Sequence, residues 1–175
     1  MYITPHSQHN YYAEVYNMVM KLDIKKLLKN IAIPLTVGGV SGFLTSGGVE
    51  EFTLNAEKPF FTPPGWLFPV AWTILYTLMG ISAYLIETTQ TTKDKKTAFI
   101  LYYLQLFFNF VWSFIFFNAE NYLFAFIWIA ILWVLILATT VEFHKINPKA
   151  AYLMIPYIIW VAFAAVLNFS VYLLN

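Results

Sequence analysis

The fold is decided by the stretch from Tyr122 to Phe143, YLFAFIWIAILWVLILATTVEF, which contains no charged residue before Glu142. A membrane-spanning helix needs about 20 mainly apolar residues, because each adds about 1.5 Å of rise against a hydrocarbon core of about 30 Å. Lipid offers no partner for the open edge of a sheet, and the alternating pattern of a barrel strand is absent. The stretch therefore predicts a transmembrane helix.

Four further segments have the same character. With 60% hydrophobic and 11% charged residues, the chain has more apolar surface than a soluble core of its size could hide. We therefore predict an all-α membrane protein, a bundle of five transmembrane helices. The predicted spans run roughly from Ile31 to Val49, Trp66 to Ile86, Thr97 to Phe117, Tyr122 to Phe143 and Ala151 to Leu173. Residues 1–24 are expected to be a poorly ordered N-terminal extension, and residues 25–175 to form the transmembrane domain.

The lysines indicate the orientation of these spans. Nine lysines fall on one side of the predicted bundle and only Lys58 on the other. Lysine-rich loops stay in the cytoplasm, so the N-terminus is predicted to be cytoplasmic and the C-terminus outside. The nine are Lys21, Lys25, Lys26, Lys29, Lys93, Lys95, Lys96, Lys145 and Lys149.

Composition also excludes several classes of function. All ten basic residues are lysines and the net charge is +1, so a nucleic-acid partner is not expected. Without cysteine there is no disulfide, thiolate nucleophile or cysteine-based metal site. The histidines, His6, His9 and His144, are interpreted as solvated residues, so we predict neither a metal site nor a required cofactor.

Six tyrosines lie mostly near the ends of the predicted spans, where amphipathic rings often anchor a helix in the headgroup region. We interpret them as such an interfacial belt. They are Tyr102, Tyr103, Tyr122, Tyr152, Tyr157 and Tyr172.

Amide side chains inside three spans are candidates for a site, because an unpaired amide in lipid is costly. In the third span Gln105 and Asn109 are four residues apart on one face, followed by Trp112. In the fifth, Trp160, Ala164 and Asn168 repeat the spacing after Pro156, and in the second Trp72 precedes Tyr76. At about 1.5 Å per residue, Trp72 and Asn109 lie about 12 Å from the outer ends, and Trp160 with Ala164 about 12 to 18 Å.

These groups have two interpretations. Aromatic walls, orienting amides and a small residue would suit a pocket for a flat, largely apolar ligand. Alternatively, the amides could bond only to neighbouring helices. The first loop, Glu50 to Gly65, is predicted as a lid stiffened by Pro63 and Pro64, or as a rigid connector. The spacing of the residues leaves both interpretations open.

Small residues in the first span predict a close helix contact. Gly38 and Gly42 form a GxxxG pattern that Ser46 continues. The contact is expected inside the bundle rather than between two copies of the chain.

Three motifs resemble those of a known family. Residues 58–76 read KPxFxPPxWxFxxxWxxLY, residues 105–117 read QLFFNFVWSFIFF, and residues 156–168 contain PYIIWVAFA followed by Leu167 and Asn168. Over residues 25–175 the chain is similar to the tryptophan-rich sensory protein and translocator protein family, TspO/MBR. It departs from many relatives at Phe52, Thr53 and Phe61, where they carry Trp, Tyr and Trp.

The resemblance implies a five-helix membrane protein, commonly dimeric, that binds porphyrin or haem and contacts membrane lipid. It implies a bacterial plasma membrane location, cavity tryptophans at Trp72 and Trp160, polar contacts at Gln105 and Asn109, and a small lining residue at Ala164. With the residues singled out above, the expected ligand contacts are Pro63, Phe68, Trp72, Tyr76, Gln105, Asn109, Trp112, Trp160, Ala164 and Asn168.

Three functions follow as hypotheses. The first is a tetrapyrrole-binding protein, sensor or transporter with its pocket in the outer half of the bundle under the first loop. The alternative is an enzyme that degrades protoporphyrin IX with light and oxygen, for which Trp72 and Trp160 would be catalytic. The third is a structural or regulatory membrane partner without a ligand.

Overall fold

The computed structural model describes residues 22–175 of the chain, and within that range it contains helices and no strand. A five-residue π-helix, Phe114–Asn118, directly follows the α-helix that ends at Ser113. Five of the helical segments are long and apolar enough to cross a membrane, which confirms the predicted five-helix bundle. Residues 1–21, most of the predicted extension, lie outside the described residues. The helices are α1 (Ile24–Leu44), α2 (Ser46–Asn55), α3 (Leu67–Thr88), α4 (Lys96–Ser113), α5 (Tyr122–Ile146) and α6 (Pro148–Leu174).

The first helix differs from the predicted first span at both ends. It begins before Ile31 because the Asp23 carboxylate accepts a hydrogen bond of 3.0 Å from the backbone N–H of Lys26, which caps the first turn. It ends at Leu44 because Thr45 leaves helical geometry, with φ −104° and ψ 7°. The chain then resumes as α2, so residues 50–55, predicted as loop, are helical.

The five spanning helices close into a ring. α1 packs on α3, α3 on α6, α6 on α5 and α5 on α4, while α4 meets α1 along a thinner seam. Gly80 allows the close contact between α1 and α3, since a Cβ there would lie 2.5 Å from Ile31 Cα. Ser82 ties α3 to α6 through a 2.8 Å hydrogen bond to the Ala150 carbonyl.

Two indoles of α5 act as interhelical ties away from the predicted site. Trp128 Nε1 donates to the Phe108 carbonyl of α4 at 2.9 Å. Trp133 Nε1 donates to the Ile158 carbonyl of α6 at 3.1 Å. Both therefore stabilise the bundle itself, and they provide controls for the tryptophans of the site.

The prediction of an internal contact is confirmed for Gly38 and wrong for Gly42, while the alternative contact between copies stays a prediction. A Cβ at Gly38 would lie 2.1 Å from the ring of Tyr76, so this glycine is packed inside the bundle. A Cβ at Gly42 would meet nothing within 4 Å. The pattern marks one internal contact because Gly42 lies toward the outside of the ring.

Candidate functional site

A chain of hydrogen bonds joins α3, α4 and α6 in the middle of the bundle. Tyr76 donates its phenol to Asn109 Oδ1 at 2.6 Å, and Asn109 Nδ2 donates to the Tyr157 hydroxyl at 3.1 Å. The Tyr157 phenol in turn donates to Gln105 Oε1 at 2.9 Å. Each of the four side chains is buried. The two predicted amides therefore lie together, and each is paired with a tyrosine.

Tyr157 is the residue of this network that we did not predict as a site residue. Its assignment to the interfacial belt is wrong, because its side chain is fully buried, and the same correction applies to Tyr102. Position near a span end indicates a belt only when the ring faces lipid. Tyr157 precedes Trp160 by three residues and Ala164 by seven, so helical spacing alone put it on the face of α6 that carries the site.

An aromatic wall extends this network toward the first loop. Trp72 stacks on Tyr76 with ring centroids 5.4 Å apart and meets the edge of Tyr157 at 6.2 Å. The side-chain amides of Gln105 and Asn109 are hydrogen-bonded to Tyr76 and Tyr157, and they hold these two tyrosines in place. Their observed role is to position aromatic rings.

A second aromatic group lies between the first loop and α6. Trp160 contacts Phe68 at 6.0 Å and Phe163 at 5.7 Å between ring centroids. Phe163 also meets Phe61 of the first loop at 6.4 Å. Ala164 is buried one turn beyond Trp160, and Pro63 is half-buried in the loop. These contacts link the loop to the interior of the bundle.

The indole N–H of Trp160 is the unusual polar group of this region. Its nitrogen is buried, and within the described residues it has no hydrogen-bond partner. Buried indoles usually have a partner, as Trp128 and Trp133 do. A buried donor without one costs about 1–3 kcal/mol, so this N–H is an unsatisfied donor within the aromatic group.

The other two predicted residues belong to a separate group. Trp112 donates its indole N–H to Asn168 Oδ1 at 3.2 Å, and Asn168 Nδ2 donates to the Tyr122 carbonyl at 2.8 Å. Trp112 also stacks on Phe116. This arrangement ties α4, α6 and the start of α5 together. The indole N–H of Trp112 and both amide atoms of Asn168 therefore already have hydrogen-bond partners.

The first loop is fastened at several points. Lys58 Nζ donates to the carbonyls of Phe52 and Thr53 at the end of α2. Asn175 accepts from the backbone N–H of Glu57 and donates to its carbonyl, each at 3.0 Å. The loop is thus attached both to α2 and to the residue that follows α6.

We expect Asn175→Ala to loosen this attachment. It removes the two hydrogen bonds to Glu57, worth about 1 kcal/mol each, together with a 2.9 Å bond to the Val171 carbonyl, so hydrogen exchange at the Glu57 amide should accelerate about tenfold or more. Exchange measured by mass spectrometry on the reconstituted protein tests this. Ser170→Ala, which removes a bond within α6, should leave Glu57 exchange unchanged. Equal exchange in Asn175→Ala and the unaltered chain would show that the loop does not depend on this contact.

The comparisons with known proteins identify a family and several relatives. Residues 30–174 match the model of the TspO/MBR family. The chain is 38% identical over 154 residues to "Tryptophan-rich protein TspO" of Archaeoglobus fulgidus, covering 88% of this chain and 99% of the relative. It is 33% identical over 157 residues to the protein of the same name from Chlorobaculum tepidum, covering 89% and 99%. It is 35% identical over 134 residues to the human "Translocator protein", covering 75% and 79%.

Proposed function

This chain belongs to the TspO/MBR family of membrane proteins, and we propose that it binds a tetrapyrrole, porphyrin or haem, as a sensor or transporter. The proposed pocket lies in the outer half of the bundle under the first loop. Its walls are the rings of Trp72 and Trp160, and its floor is the tyrosine and amide network below them.

The buried indole N–H of Trp160 carries the proposal. Among residues 22–175 this donor has no partner, and it is set among aromatic rings that offer flat stacking surface. A tetrapyrrole combines a flat apolar macrocycle with acceptor atoms, so an acceptor at its edge would satisfy this donor while its face stacks on a neighbouring ring. Binding then requires no acid, base or metal from the protein.

The names of the relatives support sensing or transport as the context. Relatives are called "Tryptophan-rich sensory protein" in Cereibacter sphaeroides and "Translocator protein" in mammals. We extend these roles to the present chain as a proposal. The ligand would then be held reversibly rather than consumed.

We also propose a location in a bacterial plasma membrane with the N-terminus in the cytoplasm. Within the described residues, eight lysines lie at the end of the bundle where α1 begins, and Lys58 lies beside the opposite end. Lysines are retained on the cytoplasmic side during insertion. The proposed pocket would therefore face the outer leaflet.

The test is a protoporphyrin titration of the purified protein and its Trp160→Phe variant. The substitution keeps a ring but removes the donor, so we expect the Kd to rise about tenfold or more. Trp128→Phe is the matched control, because it removes a donor that already bonds to the Phe108 carbonyl. It should leave the Kd unchanged. Equal Kd values for Trp160→Phe and Trp128→Phe would exclude a ligand bond to Trp160.

A further inference from the structure

Helix α2 is attached to the bundle at two positions on one of its faces. Of its ten residues, Gly48 and Phe52 are partly buried and the others are exposed. The two are four residues apart, so they lie on the same side of the helix. An element with so few buried contacts opens locally more readily than the core of a protein. The attachment of α2 therefore depends on Gly48 and Phe52.

Phe52 inserts its ring into a group of three aromatic side chains. Its ring centroid lies 5.1 Å from that of Phe116 and 5.7 Å from that of Phe117, both in the π-helix. It lies 6.3 Å from the ring centroid of Tyr122, the first residue of α5. All three contacts are edge-to-face, which is a favourable geometry for aromatic rings. These three residues, here called the Phe52 socket, therefore fix the position of α2.

Trp112 and Asn168 support the Phe52 socket. Trp112 stacks on Phe116 with ring centroids 5.2 Å apart. Asn168 accepts a hydrogen bond from the Trp112 indole and donates one to the Tyr122 carbonyl, so it holds both sides of the socket. This arrangement gives a role to two predicted site residues that lie apart from the other expected ligand contacts.

Gly48 allows α2 to approach the π-helix closely. A Cβ at Gly48 would lie 2.5 Å from the Phe117 carbonyl oxygen and 2.7 Å from Asn118 Oδ1. The first of these is a backbone atom, so a side chain here would push α2 away from the socket. A Cβ at the neighbouring Gly47 would meet nothing within 4 Å. The close approach therefore requires glycine at only one of the two positions.

Lys58 joins the end of α2 to the first loop. Its Nζ donates to the carbonyls of Phe52 and Thr53 and lies 5.5 Å from the centroid of the Phe52 ring. Three residues further on, Phe61 contacts Phe163, which in turn contacts Trp160. A displacement of α2 would therefore also displace the part of the loop that touches the proposed pocket.

We propose that Phe52 and its socket form a latch that controls access to the tetrapyrrole pocket. While Phe52 is docked, α2 and the first loop stay closed over the bundle. When Phe52 leaves the socket, they open together and the ligand enters or leaves. The control of access rests on the proposed function, whereas the latch itself depends only on the contacts of α2. A gate of this kind changes the rates of entry and exit together, so it leaves the affinity nearly unchanged.

Hydrogen exchange of the ligand-free full chain in nanodiscs tests the latch alone. Phe52→Ala should accelerate exchange in residues 46–55 about tenfold or more, because the ring no longer fills the socket. Leu54→Ala is the matched control, since Leu54 is 75% exposed in the same helix, and it should leave exchange unchanged. Gly48→Ala should also accelerate exchange, although alanine is the better helix former, and Gly47→Ala should not. Equal exchange in the two members of either pair would overturn the latch.

Stopped-flow mixing with protoporphyrin tests the control of access. In Phe52→Ala the association and dissociation rate constants should both rise about tenfold, with the Kd nearly unchanged, whereas Leu54→Ala should keep both rates. Equal rates in the two variants would overturn the gate, and so would a rise in the dissociation rate alone, which would make Phe52 a ligand contact. If the unaltered chain bound no protoporphyrin, the proposed function would fail, and the exchange experiment would still decide the latch.

Discussion

Gly80→Ala should destabilise the bundle, although alanine is the better helix former. The added Cβ would lie 2.5 Å from Ile31 Cα and 2.8 Å from the Asn30 carbonyl oxygen. Both contacts are with backbone, so α1 and α3 must separate, and overpacking of this kind costs about 1–3 kcal/mol. The separation would also strain the 2.6 Å hydrogen bond from Asn30 to Glu87.

Gly39→Ala is the matched control. A Cβ at Gly39 meets nothing within 4 Å, so only the gain in helix propensity remains, about 0.5–1 kcal/mol. Equilibrium unfolding in mixed micelles, followed by far-UV circular dichroism, measures both variants. A Gly80→Ala protein as stable as Gly39→Ala would contradict the close contact of α1 with α3.

Asn109→Leu should remove the centre of the polar network. Tyr76 and Tyr157 each lose a partner, and a buried polar group left unpaired costs about 1–3 kcal/mol. We also expect weaker protoporphyrin binding, because Trp72 stacks on Tyr76 and would lose its support. Gln105→Leu should cost less: Tyr157 loses its acceptor, but its hydroxyl still accepts from Asn109, and Tyr76 keeps its only partner.

Unfolding and protoporphyrin titration together separate two roles for Asn109. If Asn109→Leu stabilised the protein and left the Kd unchanged, the amide would be neither a support for the pocket nor a useful tie between helices. That outcome would favour the hypothesis of a structural membrane partner without a ligand. A loss of both stability and affinity supports the proposed pocket.

The number of spanning helices was predictable because lipid imposes it. A backbone in hydrocarbon must satisfy its own hydrogen bonds, so length and hydropathy identify each span almost independently of the others. The ends of α1 were not predictable in this way. They depend on the Asp23 cap and on the local geometry of Thr45, neither of which changes the hydropathy of the segment.

The candidate site was predictable only in part, since spacing places residues on a face but does not identify their partners. Gln105 and Asn109 share a face as predicted, and Trp72 does lie beside Tyr76. Tyr157 was missed because its position near a span end was interpreted as an interfacial anchor, although its spacing from Trp160 and Ala164 places it on the same face of α6. Trp112 and Asn168 are separate from the other predicted contacts because they bond to each other and to the Tyr122 carbonyl, and spacing along one helix does not identify such partners.

The central claim is that a tetrapyrrole binds against Trp72 and Trp160, and one titration tests it most directly. Protoporphyrin is titrated in the dark into Trp72→Phe/Trp160→Phe and into Trp128→Phe/Trp133→Phe. Both variants lack two of the six tryptophans, but only the first replaces indoles of the proposed pocket by smaller rings. We predict a Kd raised about a hundredfold in the first, from lost stacking and a lost donor, and an unchanged Kd in the second. The account is contradicted if both variants bind protoporphyrin with the Kd of the unaltered protein.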